Sequence, residues 1–174
     1  MPGLAELAAR AAASAARPVV LVDGGSGSGK TTLATALAGR IGAVLVRLDD
    51  LYPGWDGLDA GSAAVTRDVL GYHRYRRWDW AADAPADLVP IDPAAPLVVE
   101  GSGSLSRENR ALATFAVWID LEEHLRKDRA IARDGDAYVP YWDRWAAQER
   151  DFFLRERPDL LADVRIDGRT LAGT

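Results

Sequence analysis

Gly24-Gly25-Ser26-Gly27-Ser28-Gly29-Lys30-Thr31 satisfies the pattern G-x-x-x-x-G-K-[ST] at every position. The chemistry explains the residue types. Glycines let a loop curl so that successive backbone N–H groups point inward at phosphate oxygens, with no Cβ in the way. A helix starting at the loop's end adds its positive N-terminus. Gly25, Ser26, Gly27, Ser28 and Gly29 are expected to cradle the phosphates, Lys30 to reach the β- and γ-phosphates, and the Thr31 hydroxyl to hold Mg²⁺. Thr32, one step further, is expected to support the same site. The alternative is a flexible Gly/Ser turn that contains a lysine, but the apolar strand before it and the amphipathic helix after it favour ATP or GTP binding.

Two acidic positions stand at the ends of apolar runs. Leu48-Asp49-Asp50-Leu51-Tyr52 closes one and Leu97-Val98-Val99-Glu100-Gly101 another. The carboxyl edge of a parallel sheet faces the ligand crevice, so Asp49 or Asp50 is placed to accept a hydroxyl proton or to direct a metal. Glu100 is placed as a second Mg²⁺-directed carboxylate. Turn and cap roles compete with these readings, since Asp commonly serves there.

The elements that must position these groups are legible as alternating short apolar runs and helical stretches. Strands are expected at 18–23, 43–48, 96–99, 115–119 and 164–166, and helices at 30–41, 121–133, 141–155 and within the Ala-rich start 1–16, where Leu4 and Leu7 share one face. Near-continuous hydrophobicity suits strands buried on both faces of a parallel sheet. Leu51–Gly61 is rich in Gly, Asp and Pro, and Asp79–Pro96 holds four prolines, so both are expected to be irregular.

With 174 residues the chain is expected to form one domain over 1–174. The absence of cysteine excludes disulfides and thiolate chemistry, and two distant histidines argue against a His-rich metal site. A net charge of −5 argues against a nucleic-acid partner. No apolar run approaches the roughly 20 residues that span a bilayer, and the Ala-rich start lacks a basic cluster. A soluble, cytoplasmic monomer or homodimer is the expectation.

Taken together, Asp23-Gly24 through Thr32, Asp49-Asp50-Leu51-Tyr52 and Val99-Glu100-Gly101 resemble the uridine kinase group of P-loop kinases, which includes nicotinamide riboside kinases. Gly135-Asp136-Ala137-Tyr138, Tyr141-Trp142, Gln148-Glu149 and the stretch Pro158–Ile166 are similar to segments of the same group. The resemblance gives the base or metal-directing role to Asp49, with Asp50 second, and a similar apolar-Glu-Gly setting to Glu100. It departs at Pro53-Gly54-Trp55, and no complete uridine-reading set aligns. The Asn-Lys-x-Asp motif expected of a small GTPase is absent.

In kinases of this type a mobile lid follows the fourth strand, here about 126–140. Arg126, Arg129 and Arg133 form one helical stripe there. Arg129 and Arg133 are expected to cover the transferring phosphoryl group. Arg126 is expected on a solvated face beside Glu122, Glu123, Asp128 and Asp134. The acceptor is expected within about 50–95, where Tyr52, Trp55, Tyr72, Tyr75, Trp78 and Trp80 gather. Arg74, Arg76 and Arg77 keep a phosphate-bearing acceptor in view.

These readings converge on an α/β P-loop three-layer sandwich with a five-stranded parallel sheet and a lid. Its expected activity is ATP- and Mg²⁺-dependent phosphoryl transfer to a small-molecule hydroxyl, such as that of a nucleoside like uridine. Lys30, Asp49, Glu100, Arg129 and Arg133 would be catalytic, and Thr31, Asp49 and Glu100 would direct the metal. A nucleoside monophosphate kinase and a slow ATPase are the alternatives.

Overall fold

The computed structural model describes residues 3–135 and 138–171. The chain opens with α1 (Leu4–Ala12), β1 (Val19–Gly24), α2 (Lys30–Ile41) and β2 (Val44–Arg47). Next come α3 (Leu58–Ala64), a wider-wound turn of helix at Val65–Gly71, and strands β3 (Arg74–Asp79), β4 (Ala84–Pro90) and β5 (Leu97–Glu100). The remainder is α4 (Arg107–Leu112), β6 (Phe115–Asp120), α5 (Glu123–Asp134), α6 (Trp142–Glu156), α7 (Pro158–Leu161) and β7 (Val164–Asp167).

Five strands form one parallel sheet in the order β2-β5-β1-β6-β7. All five expected strands are found, each within a residue or two of its expected bounds. β1 lies at the centre because all six of its residues are buried. Side chains alternate across a strand, so Val19 and Leu21 point into one apolar layer and Val20 and Val22 into the other. The first layer holds α3, Trp145 and Phe152 of α6, and the second holds α1 and α2. Helices therefore cover both faces, as a parallel sheet requires.

Two expectations fail. Asp79–Pro96 is not irregular throughout, because β4 pairs antiparallel with β3 as a two-stranded ribbon. Pro85 and Pro90 are tolerated because β4 has only one neighbour, and an edge strand's outward N–H groups need no partner. The Asp79 carboxylate turns the ribbon by accepting from Ala81 N and Ala82 N at 2.9 and 3.0 Å. Leu51–Gly61 likewise ends inside a helix. Gly61 faces the Tyr52 ring, and a Cβ there would crowd it.

Asp136 and Ala137, within the expected lid, lie outside the described residues. No helix among the described residues is long and apolar enough to cross a membrane.

Candidate active site

The phosphate loop leaves β1 at the middle of the sheet, between neighbours β5 and β6. This is where the strand order reverses and where open α/β sheets bind ligands. The loop turns through Gly27 (φ 82°) and Gly29 (φ 99°), a conformation that side chains resist. Lys30 then begins α2, with its ammonium folded back to donate to the Gly25 carbonyl at 3.3 Å.

Behind the loop lies Asp23, wholly buried. Its carboxylate accepts from Gly24 N at 2.6 Å and Leu105 N at 2.8 Å, and contacts Gly103 N at 3.1 Å. Burial pushes its pKa from 3.8 to about 7, against the pull of those N–H groups and of Lys30. A second Gly/Ser segment, Gly101–Ser106, thereby backs the first. Ser102 Oγ shares its one proton between the Gly24 carbonyl at 3.0 Å and the Glu149 carboxylate at 2.8 Å, and Ser104 Oγ donates to the Val22 carbonyl at 3.0 Å.

In front of the loop is a cavity of about 740 Å³. Ser26, Lys30 and Thr31 line one side of it, and Asp49 and Asp50 the next. The two aspartates stand on a single 3₁₀ turn that ends β2, as the parallel register with β5 dictates. Glu100, at the tip of β5, accepts from Thr31 Oγ1 at 3.0 Å and lies 4.0 Å from Arg47 Nε. Its pKa is raised by burial; the Lys30 charge opposes that rise and Asp49 adds to it. Asp50 is also raised, first by burial. Lys30, Thr31, Asp49 and Glu100 are thus brought together although 70 residues separate the first from the last.

The donor set suits Mg²⁺. Thr31 and Asp49 line the cavity, Glu100 lies buried behind Thr31 and accepts its hydroxyl, and all three offer hard oxygen. Mg²⁺ uses few protein oxygens and completes its shell with water and phosphate. Among the described residues no group of three or more His, Cys, Asp or Glu is arranged to hold an ion. An ion here would therefore depend on the triphosphate.

The opposite wall is aromatic. Trp55 stacks on Tyr141 at 4.2 Å between centroids and 3° between planes, with Tyr138 at 5.5 Å and Trp80 at 5.0 Å. Tyr52 and Trp145 line the same cavity. Tyr52 is buried, with its hydroxyl donating to the Ser102 carbonyl at 2.7 Å, so it supports the wall rather than facing a ligand. Trp80 Nε1 donates to the Asp49 carbonyl at 2.8 Å, which ties the ribbon's tip to the acidic turn.

Not every expected residue is here. Arg133 lines the cavity, paired with Asp134 at 2.6 Å, but Arg129 does not, and donates instead to the Gly168 carbonyl at 2.9 Å. Thr32 is exposed and lies outside the lining. Of the expected aromatics, Tyr72 is solvent-facing, Tyr75 packs in the core and Trp78 sits on the far side of the ribbon. Arg126 is not solvated. It is 6% exposed and packs under the phosphate loop. A Cβ on Gly25 would overlap its guanidinium, and one on Gly27 its backbone carbonyl. These glycines therefore admit a helix as well as a phosphate.

Sequence reading missed Tyr138, Tyr141 and Trp145 as cavity residues, and Glu149 as a support. The signal for Glu149 was present. It falls on the apolar stripe Trp142, Trp145, Ala146, Phe152, a position where a carboxylate needs a reason.

No family model matches the chain. Over 91 residues it is 35% identical to a tRNA dimethylallyltransferase from Jannaschia sp. (strain CCS1), covering 48% of this chain. The match takes in 32% of that relative, so the chain spans about a third of its length. Solved structures are similar over more of the chain. A candidate uridine kinase from Bacillus stearothermophilus superposes with TM-score 0.58 and 23% identity, over 88% of this chain and 90% of the other. A candidate fructose transport system kinase from Silicibacter sp. TM1040 gives 0.61 and 20%, over 95% and 99%. The shikimate kinase of Acinetobacter baumannii, bound to shikimate, gives 0.53 and 18%, over 90% and 89%. At such identities the likeness establishes the α/β P-loop fold, and function must be argued from the site.

Proposed function

We propose that the chain is an ATP- and Mg²⁺-dependent kinase of a small, unphosphorylated alcohol bearing a planar ring, with a nucleoside as the preferred class. One observation carries the reading: Lys30 and Thr31 share a single cavity with Asp49 and with the Trp55–Tyr141 stack. A phosphate cradle, a base and a ring platform are what such a transfer needs, within reach of one another.

The residues divide the work. Lys30 and the loop amides left free hold the β- and γ-phosphates; the Ser26 and Ser28 N–H groups are taken by Glu149 and the Gly25 carbonyl. Thr31, Asp49 and Glu100 would hold Mg²⁺, which neutralises charge on the phosphates when bound. Asp49 accepts the acceptor's hydroxyl proton as the new O–P bond forms and the bond to ADP breaks. Arg133 supplies positive charge at the transferring group. Stacking on Trp55 orients the acceptor.

Among the described residues no arginine fork stands unpaired at the cavity, which supports an acceptor without its own phosphate. Arg77 pairs with Asp87 at 2.9 Å, Arg76 donates to the Ala86 carbonyl at 2.7 Å and Arg74 lies over the Tyr72 ring. None of the three lines the cavity. The two arginines that do, Arg47 and Arg133, stand against Glu100 and Asp134.

The test is ADP release with MgATP and a panel of nucleosides, nucleoside monophosphates, nicotinamide riboside and pantothenate. An unphosphorylated ring-bearing alcohol should accelerate release, and Asp49→Asn should lower that rate by about 10²-fold or more. Acceleration by monophosphates alone would overturn the acceptor class. Slow release that no compound accelerates would leave an ATPase.

A further inference from the structure

Glu149 is a carboxylate in the middle of an apolar helix face, with no exposed surface. Burying a charge is costly unless donors surround it. Here they do. Its Oε1 accepts from Ser26 N at 2.6 Å, Ser102 Oγ at 2.8 Å and Trp145 Nε1 at 2.9 Å. Its Oε2 accepts from Arg126 Nη1 at 2.7 Å.

Arg126 completes the grip. The same Nη1 reaches the Ser26 carbonyl at 3.2 Å, and Nε donates to the Leu121 carbonyl at 3.1 Å. The N–H and the C=O of Ser26 are therefore held by the two members of one buried ion pair. The Ser26 hydroxyl is bound as well, by the Tyr138 hydroxyl at 3.1 Å. A single loop residue is tied to α5, to α6 and to the segment between them. It directly precedes Gly27, where the loop turns.

Stability alone does not account for this arrangement, because apolar residues of similar volume often replace a buried ion pair without loss. Orientation does. The Ser26 N–H belongs to the peptide that enters the residue and its C=O to the peptide that leaves it, so fixing one polar atom of each sets the orientation of two successive planes and the direction of the amides that follow.

We infer that Glu149 is a positioning residue: with Arg126 it sets the orientation of the two peptide planes that flank Ser26, and through them the affinity of the phosphate loop for nucleotide. Glu149 touches no reacting group, so its effect is on binding. The neighbouring Gln148 donates to the Trp55 carbonyl at 2.7 Å, which places the acceptor wall on the same helix. The inference rests on the kinase reading only in that MgATP is the ligand.

The experiment is titration of the whole protein with MgATP by calorimetry, for the wild type, Glu149→Gln and Arg126→Lys, with thermal melts alongside. Glu149→Gln keeps an acceptor for Ser26 N–H but sets an amide against the guanidinium. It should raise the Kd for MgATP about 10-fold, as loss of a charged hydrogen bond does. In turnover the KM for ATP should rise by the same factor, with kcat at saturating ATP within about threefold. A purely structural role would lower the melting temperature and leave the Kd of the folded protein unchanged. If Glu149→Gln does not fold, Arg126→Lys, which retains a cation beside the carboxylate, carries the same expectation. Wild-type affinity in a folded variant overturns the inference alone. Failure of the wild type to bind MgATP overturns both it and the proposed function.

Discussion

The two sides of the cavity are built in different ways. The phosphate side comes from one run, residues 24–31, and two strand tips, and buried hydrogen bonds to Asp23, Ser102 and Glu149 hold it. The acceptor side draws Trp55, Trp80, Tyr138, Tyr141 and Trp145 from separate segments. Ring stacking holds it, and exposed ion pairs such as Arg144–Asp56 and Arg77–Asp87 tie neighbouring segments outside its lining. Buried, fully paired networks are stiff, whereas surface pairs contribute little and are screened by salt. The chemistry is set where the molecule is rigid, and the acceptor is met where it can adjust.

The comparison predicts that the largest effect on kcat comes from the phosphate side, at Lys30. Lys30→Ala removes the cation nearest the transferring phosphate and should lower ADP release by about 10³-fold or more. Its one hydrogen bond is to the Gly25 carbonyl, so the circular dichroism spectrum and the cooperative melt should persist. Turnover within a few-fold of wild type would remove the functional assignment of the loop.

This difference also explains what could be read without coordinates. The loop, the five strands, Asp49 and Glu100 were legible because their signals are contiguous: a motif, an apolar run, an acid at its end. The aromatic wall was half legible. Trp55 and Trp80 were in view, but Tyr138, Tyr141 and Trp145 reach the cavity only because the turn before α6 and the first turn of α6 pack beside Trp55, and spacing does not encode such packing. Arg126 misled for a related reason. Its helical neighbours are charged and its burial depends on Gly25 and Gly27, a hundred residues away. The ribbon was hidden by Pro85 and Pro90, which argue against a strand except at an edge.

A pH series separates the two sides by sign. Asp23 is buried with a pKa of about 7, against 3.8 when unfolded, so the native state binds more protons between those values. Stability then falls as pH rises from about 4 to about 7, and the whole penalty, roughly 4 kcal/mol at most, stands above pH 7. Burial moves Glu100 and Asp50 the same way. On the surface outside the aromatic wall Asp56 and Asp87 are lowered by Arg144 and Arg77, so their contribution is lost only as pH falls below the usual carboxylate range. Urea unfolding at pH 5 and pH 8 should show the wild type weaker at pH 8. Asp23→Asn, which cannot ionise, should show a smaller difference. An equal slope in the variant would mean that Asp23 is not the group responsible.

The smallest effect is expected at the ribbon. Arg77 carries an exposed, bidentate pair with Asp87 and does not line the cavity, so Arg77→Ala should leave the melting temperature within about 2 °C. More to the point, kcat and both KM values should stay within about twofold of wild type. That near-silence is informative because a guanidinium serving an acceptor phosphate would behave otherwise. Losing one arm of such a fork would raise the acceptor KM by about 10-fold or more, since charge-assisted pairs to phosphate are among the strongest a protein makes. A large, acceptor-specific KM change in Arg77→Ala would mean that the ribbon swings its arginines inward during turnover. The adjustable side of the molecule would then be reading a phosphate, and the distinction between a stiff phosphate side and an aromatic acceptor side would have to be redrawn.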